Sequence, residues 1–157
     1  MKRAVFPGSF DPVTKGHMDL IRRSAVMFDH LIIGVLVNES KLPLFSLEER
    51  VSMLQELTKD LENVSVKSFQ GLLVDFVAQE QANTIVRGLR TSQDFEYELP
   101  LAQANYKMNR KADTVFLATA PEYSYISSSG VKEIYHFGGD IKGLVPDYVY
   151  TKIKENE

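Results

Sequence analysis

Short runs of β-branched residues alternate along the chain with segments whose apolar residues recur at helical spacing. This alternation is typical of βα units whose strands form a parallel sheet. It predicts five strands, over residues 3–6, 31–37, 64–69, 84–86 and 114–118. We therefore expect an α/β fold in which an open sheet of about five parallel strands carries helices on both faces.

Helices are predicted between these strands and after the last one. The helix that follows the second strand begins with a capping box formed by Ser46 and Glu49. A third helix is predicted over residues 72–81. Pro100 lies inside the apolar pattern of the fourth helix, where proline lacks a donor and crowds the preceding turn, so we expect a kink or a restart there. Two more helices are expected, one after residues 127–129 and one that opens at Pro146, a favoured first-turn proline.

Composition limits the classes of function. The chain has 157 residues, which predicts one domain over residues 1–157. Its net charge of −3 gives no reason to expect nucleic-acid or membrane binding, so any polyanion must meet a local basic site. There is no Cys, which excludes disulfides and cysteine nucleophiles and is compatible with the cytoplasm. We expect neither a secretory signal nor a membrane span.

Open α/β sheets bind ligands outside the carboxyl ends of their strands, and the first strand runs there into a turn rich in glycine and hydroxyl groups. Because this turn opens a helix, its N–H groups and the positive end of the helix dipole suit an anion. Neither a Walker loop nor a G-x-G-x-x-G motif is present. His17, after Thr14 and Gly16, is placed to aim a donor at that anion, although a lone histidine at a helix start is often a plain surface residue. Asp11 precedes Pro12 and is expected to hold the loop rather than act as a base.

Two arginines follow the fourth strand. Arg87 and Arg90 flank Gly88, and forked guanidinium groups at this edge of the sheet suit phosphate oxygens. The alternative is that they are surface residues paired with Glu96 or Glu98.

Three successive serines, residues 127–129, precede the helix after the fifth strand. One of them is explained as an ordinary N-cap, and the other two exceed what capping needs. The segment therefore predicts a second helix N-terminus that binds an anion. Lys41, just past the second strand, adds a cation to the same edge of the sheet.

These motifs resemble those of the bacterial phosphopantetheine adenylyltransferases, a family of the nucleotidylyltransferase superfamily with a Rossmann-like fold. The resemblance covers essentially the whole chain and rests on GSFDP at 8–12 with TKGH at 14–17, RGLR at 87–90 with DFEYE at 94–98, and ISSS at 126–129 with VKE at 131–133. It implies that ATP and 4′-phosphopantetheine react to give dephospho-coenzyme A and pyrophosphate. It further implies Mg²⁺, a homohexamer and feedback binding of coenzyme A.

The resemblance also assigns residues to this reaction. The hypothesis for catalysis is that His17, Lys41, Ser9 and Arg90 stabilise the reacting phosphates. Mg²⁺ keeps many of its waters, so no residue is named as a metal ligand. The residues implied for phosphopantetheine are Ser9, Lys41, Leu73 and Arg87. The residues implied for ATP are Ser9, Phe10, His17, Gly88, Leu89, Arg90, Glu98, Tyr123, Ser124, Tyr125, Ile126, Ser127, Ser128 and Ser129.

Two other functions stay open on the sequence. One is a sister nucleotidylyltransferase that acts on nicotinamide mononucleotide or on a small alcohol phosphate, since the T-x-G-H element marks only the superfamily. The other is a noncatalytic nucleotide-sensing module that has kept the fold.

Overall fold

The computed structural model describes residues 1–37 and 42–157, so Lys41 lies outside the described residues. Within them, five strands form one sheet in the order β3-β2-β1-β4-β5, and every neighbouring pair is parallel. The strands are β1 (Arg3–Gly8), β2 (His30–Leu36), β3 (Val64–Phe69), β4 (Thr84–Leu89) and β5 (Asp113–Ala118). The predicted parallel sheet is confirmed, and β4 extends three residues beyond its predicted end.

Six α-helices accompany the strands in the described residues. They are α1 (Lys15–Met27), α2 (Leu47–Leu57), α3 (Leu73–Gln79), α4 (Ser92–Met108), α5 (Ser128–His136) and α6 (Asp147–Glu155), and a short 3₁₀ helix covers Pro121–Tyr123. The capping box of Ser46 and Glu49 is confirmed at the start of α2. The third helix is shorter than predicted, and Pro146 is the N-cap of α6 rather than its first residue.

The side chains of β1 alternate between two hydrophobic clusters, which places helices on both faces of the sheet. Ala4 and Phe6 belong to a cluster completed by α1, α2, α5 and α6, whereas Val5 belongs to a second cluster completed by α3. This alternation follows from the two-residue period of a strand. Burial on both faces makes β1 the rigid centre of the sheet, so the turn that follows β1 starts from a fixed point.

A kink or a restart is predicted at Pro100, but the fourth helix runs without interruption through this residue, so it does not restart there. The kink stays a prediction. Proline removes the hydrogen bond to the carbonyl of Glu96, but both residues are exposed, and water can solvate that carbonyl. The start of the helix is also fixed independently by a capping box of Thr91 and Asp94. Local solvation and a strong start therefore allow a continuous helix.

The chain extends the sheet in two directions from β1. It adds β2 and β3 on one side of β1 and then β4 and β5 on the other, so the switch point lies between β1 and β4. Ligands of open α/β sheets bind at such a switch point, outside the carboxyl ends of the strands. The turn after β1 and the segment after β4 meet there. Among the helices of the described residues, none has the length and apolar character needed to cross a membrane.

Candidate active site

The first turn of α1 is closed by a reciprocal pair between Thr14 and His17. The Thr14 hydroxyl accepts from the backbone N–H of His17 at 3.2 Å, and the backbone N–H of Thr14 donates to His17 Nδ1 at 3.0 Å. The imidazole thus takes the place that a Glu or Gln side chain has in the usual capping box. Because a backbone N–H can only donate, Nδ1 must carry a lone pair, and the neutral ring carries its proton on Nε2.

This histidine is held in its neutral form. Burial, followed by the positive charges of Arg87 and Arg90, lowers the pKa of His17 from 6.5 to about 4. The imidazole also packs edge-to-face on Phe10, with the two ring centroids 5.0 Å apart. At neutral pH, His17 is therefore an uncharged, oriented N–H donor at the start of a helix.

The end of β1 and the turn after it are held by side chains from other elements. Arg87 Nη1 on β4 donates to the Pro7 carbonyl at 3.1 Å, and Arg50 Nη1 on α2 donates to the Ser9 carbonyl at 2.7 Å. The two carboxylate oxygens of Asp11 accept from the backbone N–H groups of Leu44 and Phe45, each at 2.9 Å. The prediction that Asp11 holds the loop is confirmed.

Arg87 forms a two-point ion pair with Glu98 on α4. Its Nε donates to Glu98 Oε2 at 2.9 Å and its Nη2 donates to Oε1 at 2.6 Å. A guanidinium has five N–H donors, of which three are used here, counting the bond to Pro7. Among the described residues, one N–H on each Nη nitrogen has no acceptor. The expected partnership with Glu98 is thus present, and it still leaves Arg87 two donors for a ligand.

Arg90 follows the last residue of β4 and lies just before α4. Its Nη2 is 3.7 Å from Asp94 Oδ1, and its backbone N–H donates to Asp94 Oδ2 at 2.8 Å. This longer contact constrains the guanidinium less than the pair of Arg87 with Glu98. Arg90 therefore remains available to an anion in the cavity that it lines.

The three serines have different surroundings. Ser127 is the N-cap of α5 and accepts from the backbone N–H of Gly130 at 3.0 Å, as expected for one of them. The Ser128 hydroxyl donates to the Pro12 carbonyl at 2.8 Å and ties α5 to the turn after β1. Ser129 lines the cavity beside this turn.

A cavity of about 400 Å³ opens between the turn after β1, the end of β4 and the start of α5. We call it the first cavity. Ten of the residues implied for ATP line it: Ser9, Phe10, His17, Gly88, Arg90, Glu98, Ile126, Ser127, Ser128 and Ser129. The structure thus brings His17, Arg90 and Ser128 around one common space.

The other residues implied for ATP do not line this cavity. Leu89 is the last residue of β4, and Tyr123 packs against the larger hydrophobic cluster. The Ser124 hydroxyl donates to the Pro121 carbonyl, and the side chain of Tyr125 is 72% exposed. Their roles in nucleotide binding stay predictions.

A second cavity, of about 370 Å³, lies on the other side of the turn. Three residues implied for phosphopantetheine, Ser9, Leu73 and Arg87, line it, together with a largely apolar wall of Leu36, Phe69, Ile85, Leu101 and Ala102. Pro7, Gly8, Ser9, Arg87 and Glu98 line both cavities. Two binding spaces of different chemistry therefore share one wall.

Several residues at this site were given no role by the sequence reasoning. Tyr97 and Lys132 belong to the motifs quoted for the resemblance, and together with Thr119 they line the first cavity. Lys132 also reaches Asp11 at 3.4 Å. Arg50 was also missed, although a charged residue on the apolar face of α2, between Leu47 and Leu54, was a usable signal.

Comparison with known proteins places the chain in a family. A cytidylyltransferase-like family model matches residues 5–134. A phosphopantetheine adenylyltransferase from Lachnoclostridium phytofermentans is 56% identical over 98% of this chain and 94% of its own length. A second, from Caldanaerobacter subterraneus subsp. tengcongensis, is 51% identical over 99% of this chain and 97% of its own length. The chain belongs to the phosphopantetheine adenylyltransferase family.

The fold is also found in solved structures of low sequence identity. The crystal structure of a candidate nicotinate-nucleotide adenylyltransferase from Vibrio parahaemolyticus matches with a TM-score of 0.72, at 19% identity, over 98% of this chain and 99% of that one. At this identity the match concerns the fold alone, and it supports the Rossmann-like arrangement expected for the phosphopantetheine adenylyltransferase family.

The lowered pKa of His17 predicts a pH dependence of stability. The unfolded chain takes up a proton on this residue as pH falls below 6.5, whereas folded His17 stays neutral until about pH 4. The stabilisation that neutral His17 gives the folded protein is therefore fully present above pH 6.5 and is lost as the pH falls from 6.5 to about 4. Urea unfolding at pH 7 and pH 4.5 should therefore show a larger loss of unfolding free energy for the wild type than for His17→Asn. Equal losses in the two proteins would contradict the buried, neutral imidazole.

Proposed function

We propose that this protein transfers the adenylyl group of ATP to 4′-phosphopantetheine, giving dephospho-coenzyme A and pyrophosphate. The observation that carries the proposal is the wall shared by the two cavities, in which Ser9 and Arg87 face both spaces. An adenylyl transfer needs two phosphates side by side, and a shared wall of donors is where they can meet.

The first cavity suits the triphosphate. His17 offers its Nε2–H, Arg90 offers a guanidinium, and Ser127 and Ser129 stand at the N-terminus of α5. Helix N-termini and guanidinium groups are favourable partners for phosphate oxygens. We place the nucleotide in this cavity, with its α-phosphate toward the turn that carries Ser9.

The second cavity suits the acceptor. Its polar end has Ser9 and the two remaining donors of Arg87, which fit a phosphate monoester. Its far wall combines Leu73 and other apolar side chains with Asn105, a combination that fits an aliphatic arm carrying amide groups. We therefore place the phosphate of 4′-phosphopantetheine at the shared wall and its arm against Leu73.

The proposed reaction is one displacement. A phosphate monoester has a second pKa near ~6, so the acceptor is largely dianionic at neutral pH and needs no general base. Its oxygen attacks the α-phosphorus in line, the bond from that phosphorus to the bridging oxygen of the β-phosphate breaks, and pyrophosphate leaves. The neutral N–H of His17 and the cation of Arg90 stabilise the charge that develops. Lys41 is assigned to the same task on the resemblance alone.

Mg²⁺ enters this scheme with the nucleotide. When bound, Mg²⁺ would neutralise phosphate charge, and because it retains several waters it would need few protein ligands. Within residues 1–37 and 42–157, no three acidic or histidine side chains are grouped to hold a metal. We propose that the substrate is the MgATP complex, in which the ion neutralises part of the triphosphate charge.

Assembly, regulation and location are further parts of the proposal. The resemblance supports a homohexamer, and exposed apolar side chains on α4 outside the two cavities, Tyr106 and Met108, are suited to burial between copies. Coenzyme A contains both an adenylate and a phosphopantetheine arm, so feedback binding across the two cavities is chemically consistent. We place the enzyme in the cytoplasm, with which its lack of cysteine is compatible.

Release of pyrophosphate tests the acceptor directly. With MgATP present, 4′-phosphopantetheine should support turnover, whereas nicotinamide mononucleotide and a small alcohol phosphate should not. The reason is that Leu73 and Asn105 in the largely apolar second cavity suit an aliphatic arm with amide groups, which neither of the other two acceptors carries. Turnover with another acceptor would favour a sister nucleotidylyltransferase, and tight ATP binding without turnover would favour a nucleotide sensor.

Substitutions of His17 and Arg87 should separate catalysis from acceptor binding. We expect His17→Ala to lower kcat by ~10² or more with little change in ATP affinity, because its N–H acts on developing charge. We expect Arg87→Ala to raise KM for phosphopantetheine about tenfold or more, as for loss of a charge-assisted hydrogen bond. Steady-state kinetics measure both effects.

The matched control for these variants is Arg22→Ala. Arg22 pairs with Asp60 on an exposed surface, so its loss should leave the kinetic constants unchanged. An unchanged phosphopantetheine KM in Arg87→Ala would remove Arg87 from the acceptor site. Loss of ATP affinity with unchanged turnover in His17→Ala would remove His17 from catalysis.

A further inference from the structure

Arg50 is a charged residue inside the hydrophobic core. It lies on α2, its exposed fraction is 4%, and its Nη1 donates to the carbonyls of Ser9, at 2.7 Å, and Leu36, at 3.2 Å. Its Nε is buried and has no hydrogen-bond partner in the part of the chain that is described. The guanidinium thus joins the turn after β1 to the end of β2.

This arrangement is costly if packing is its only purpose. Burying a charge without full compensation is unfavourable, and apolar side chains of similar volume often replace buried ionic groups with no loss of stability. Met53 and Leu54 already fill the core from the same helix. The value of Arg50 must therefore lie in what its two hydrogen bonds fix.

The bond to Ser9 fixes a peptide plane. The peptide that joins Ser9 to Phe10 is trans, so the Ser9 carbonyl and the Phe10 N–H point in opposite directions. Because the carbonyl points at Arg50, the N–H points away from α2. Arg50 lines neither of the two cavities, whereas Ser9 and Phe10 both line the first one.

The conformation of Phe10 supports a functional role for this peptide. Its φ of 52° is in the left-handed region, which a bulky residue adopts at a cost and which is concentrated at functional sites. Its ring is buried, at 1% exposure, against His17. Its N–H donates to no acceptor among the described residues. The turn is thus held in a strained form that leaves one N–H available beside the imidazole.

We propose that Arg50 is a positioning residue that holds the Ser9–Phe10 peptide so that the Phe10 N–H donates to a phosphate oxygen of the nucleotide. The proposal rests on the placement of ATP in the first cavity under the proposed function. Arg50 itself contacts no substrate. It acts through the carbonyl of Ser9, and it sets the direction of a donor next to the Nε2–H of His17.

Kinetics of Arg50 variants test this role. Arg50→Met should lower kcat by ~10², as for loss of one donor to developing charge, with a smaller change in KM for phosphopantetheine. Arg50→Lys should recover part of that loss, because its ammonium can still donate to the Ser9 carbonyl. Leu54→Val is the matched control, since it disturbs the same core from the same helix, and its kcat should equal that of the wild type. Equal kcat values for Arg50→Met and Leu54→Val would overturn the proposal.

A measurement on the wild-type protein keeps the proposal falsifiable even if the Arg50 variants do not fold. In ¹⁵N-labelled protein, α,β-methylene-ATP with Mg²⁺ should shift the Phe10 amide resonance and slow its hydrogen exchange, and in a folded Arg50→Met both changes should be lost. A Phe10 amide that does not respond to the bound analogue would overturn the proposal. This experiment needs no acceptor, so its failure is distinct from a failure of the wild type to release pyrophosphate with 4′-phosphopantetheine.

Discussion

The site depends on how the turn between β1 and α1 is held from outside. A turn that offers N–H groups to an anion must direct its carbonyls elsewhere, and each buried carbonyl then needs a donor. Arg87 on β4, Arg50 on α2 and Ser128 on α5 supply these donors to the carbonyls of Pro7, Ser9 and Pro12. Three separate elements therefore fix one short segment, and that segment lines both cavities.

A local group of cations explains how a chain of net charge −3 can hold two polyanions. The cations Arg87, Arg90 and Lys132 are gathered around the first cavity, where their field acts over short distances. The two arginines also help to keep His17 neutral by lowering its pKa. The imidazole can then serve as an oriented N–H donor without adding another charge to the repulsion among these cations.

Much of this could be predicted from local pattern. The alternation of strands and helices predicted the parallel sheet, and the spacing of Ser46 and Glu49 predicted the capping box of α2, because both patterns depend on neighbours in sequence. Asx-Pro chemistry predicted that Asp11 holds the loop, but its partners Leu44 and Phe45 are 33 and 34 positions away. Partners distant in sequence could not be predicted. The choice of Glu98 rather than Glu96 by Arg87 follows from packing, and so does the contact of Arg50 with a carbonyl 41 positions away. The continuity of α4 through Pro100 depends on solvent exposure, which the apolar pattern does not fix.

The central claim is that the shared wall brings the acceptor phosphate directly to the α-phosphorus of ATP. The stereochemical course of the reaction tests it most directly, using ATP made chiral at the α-phosphorus by sulfur and isotopic oxygen. A single in-line displacement inverts the configuration at phosphorus, and inversion in the dephospho-coenzyme A product is the result that this account predicts. Retention would mean two displacements through a covalent adenylyl-enzyme, and it would contradict direct transfer across the wall formed by Ser9 and Arg87.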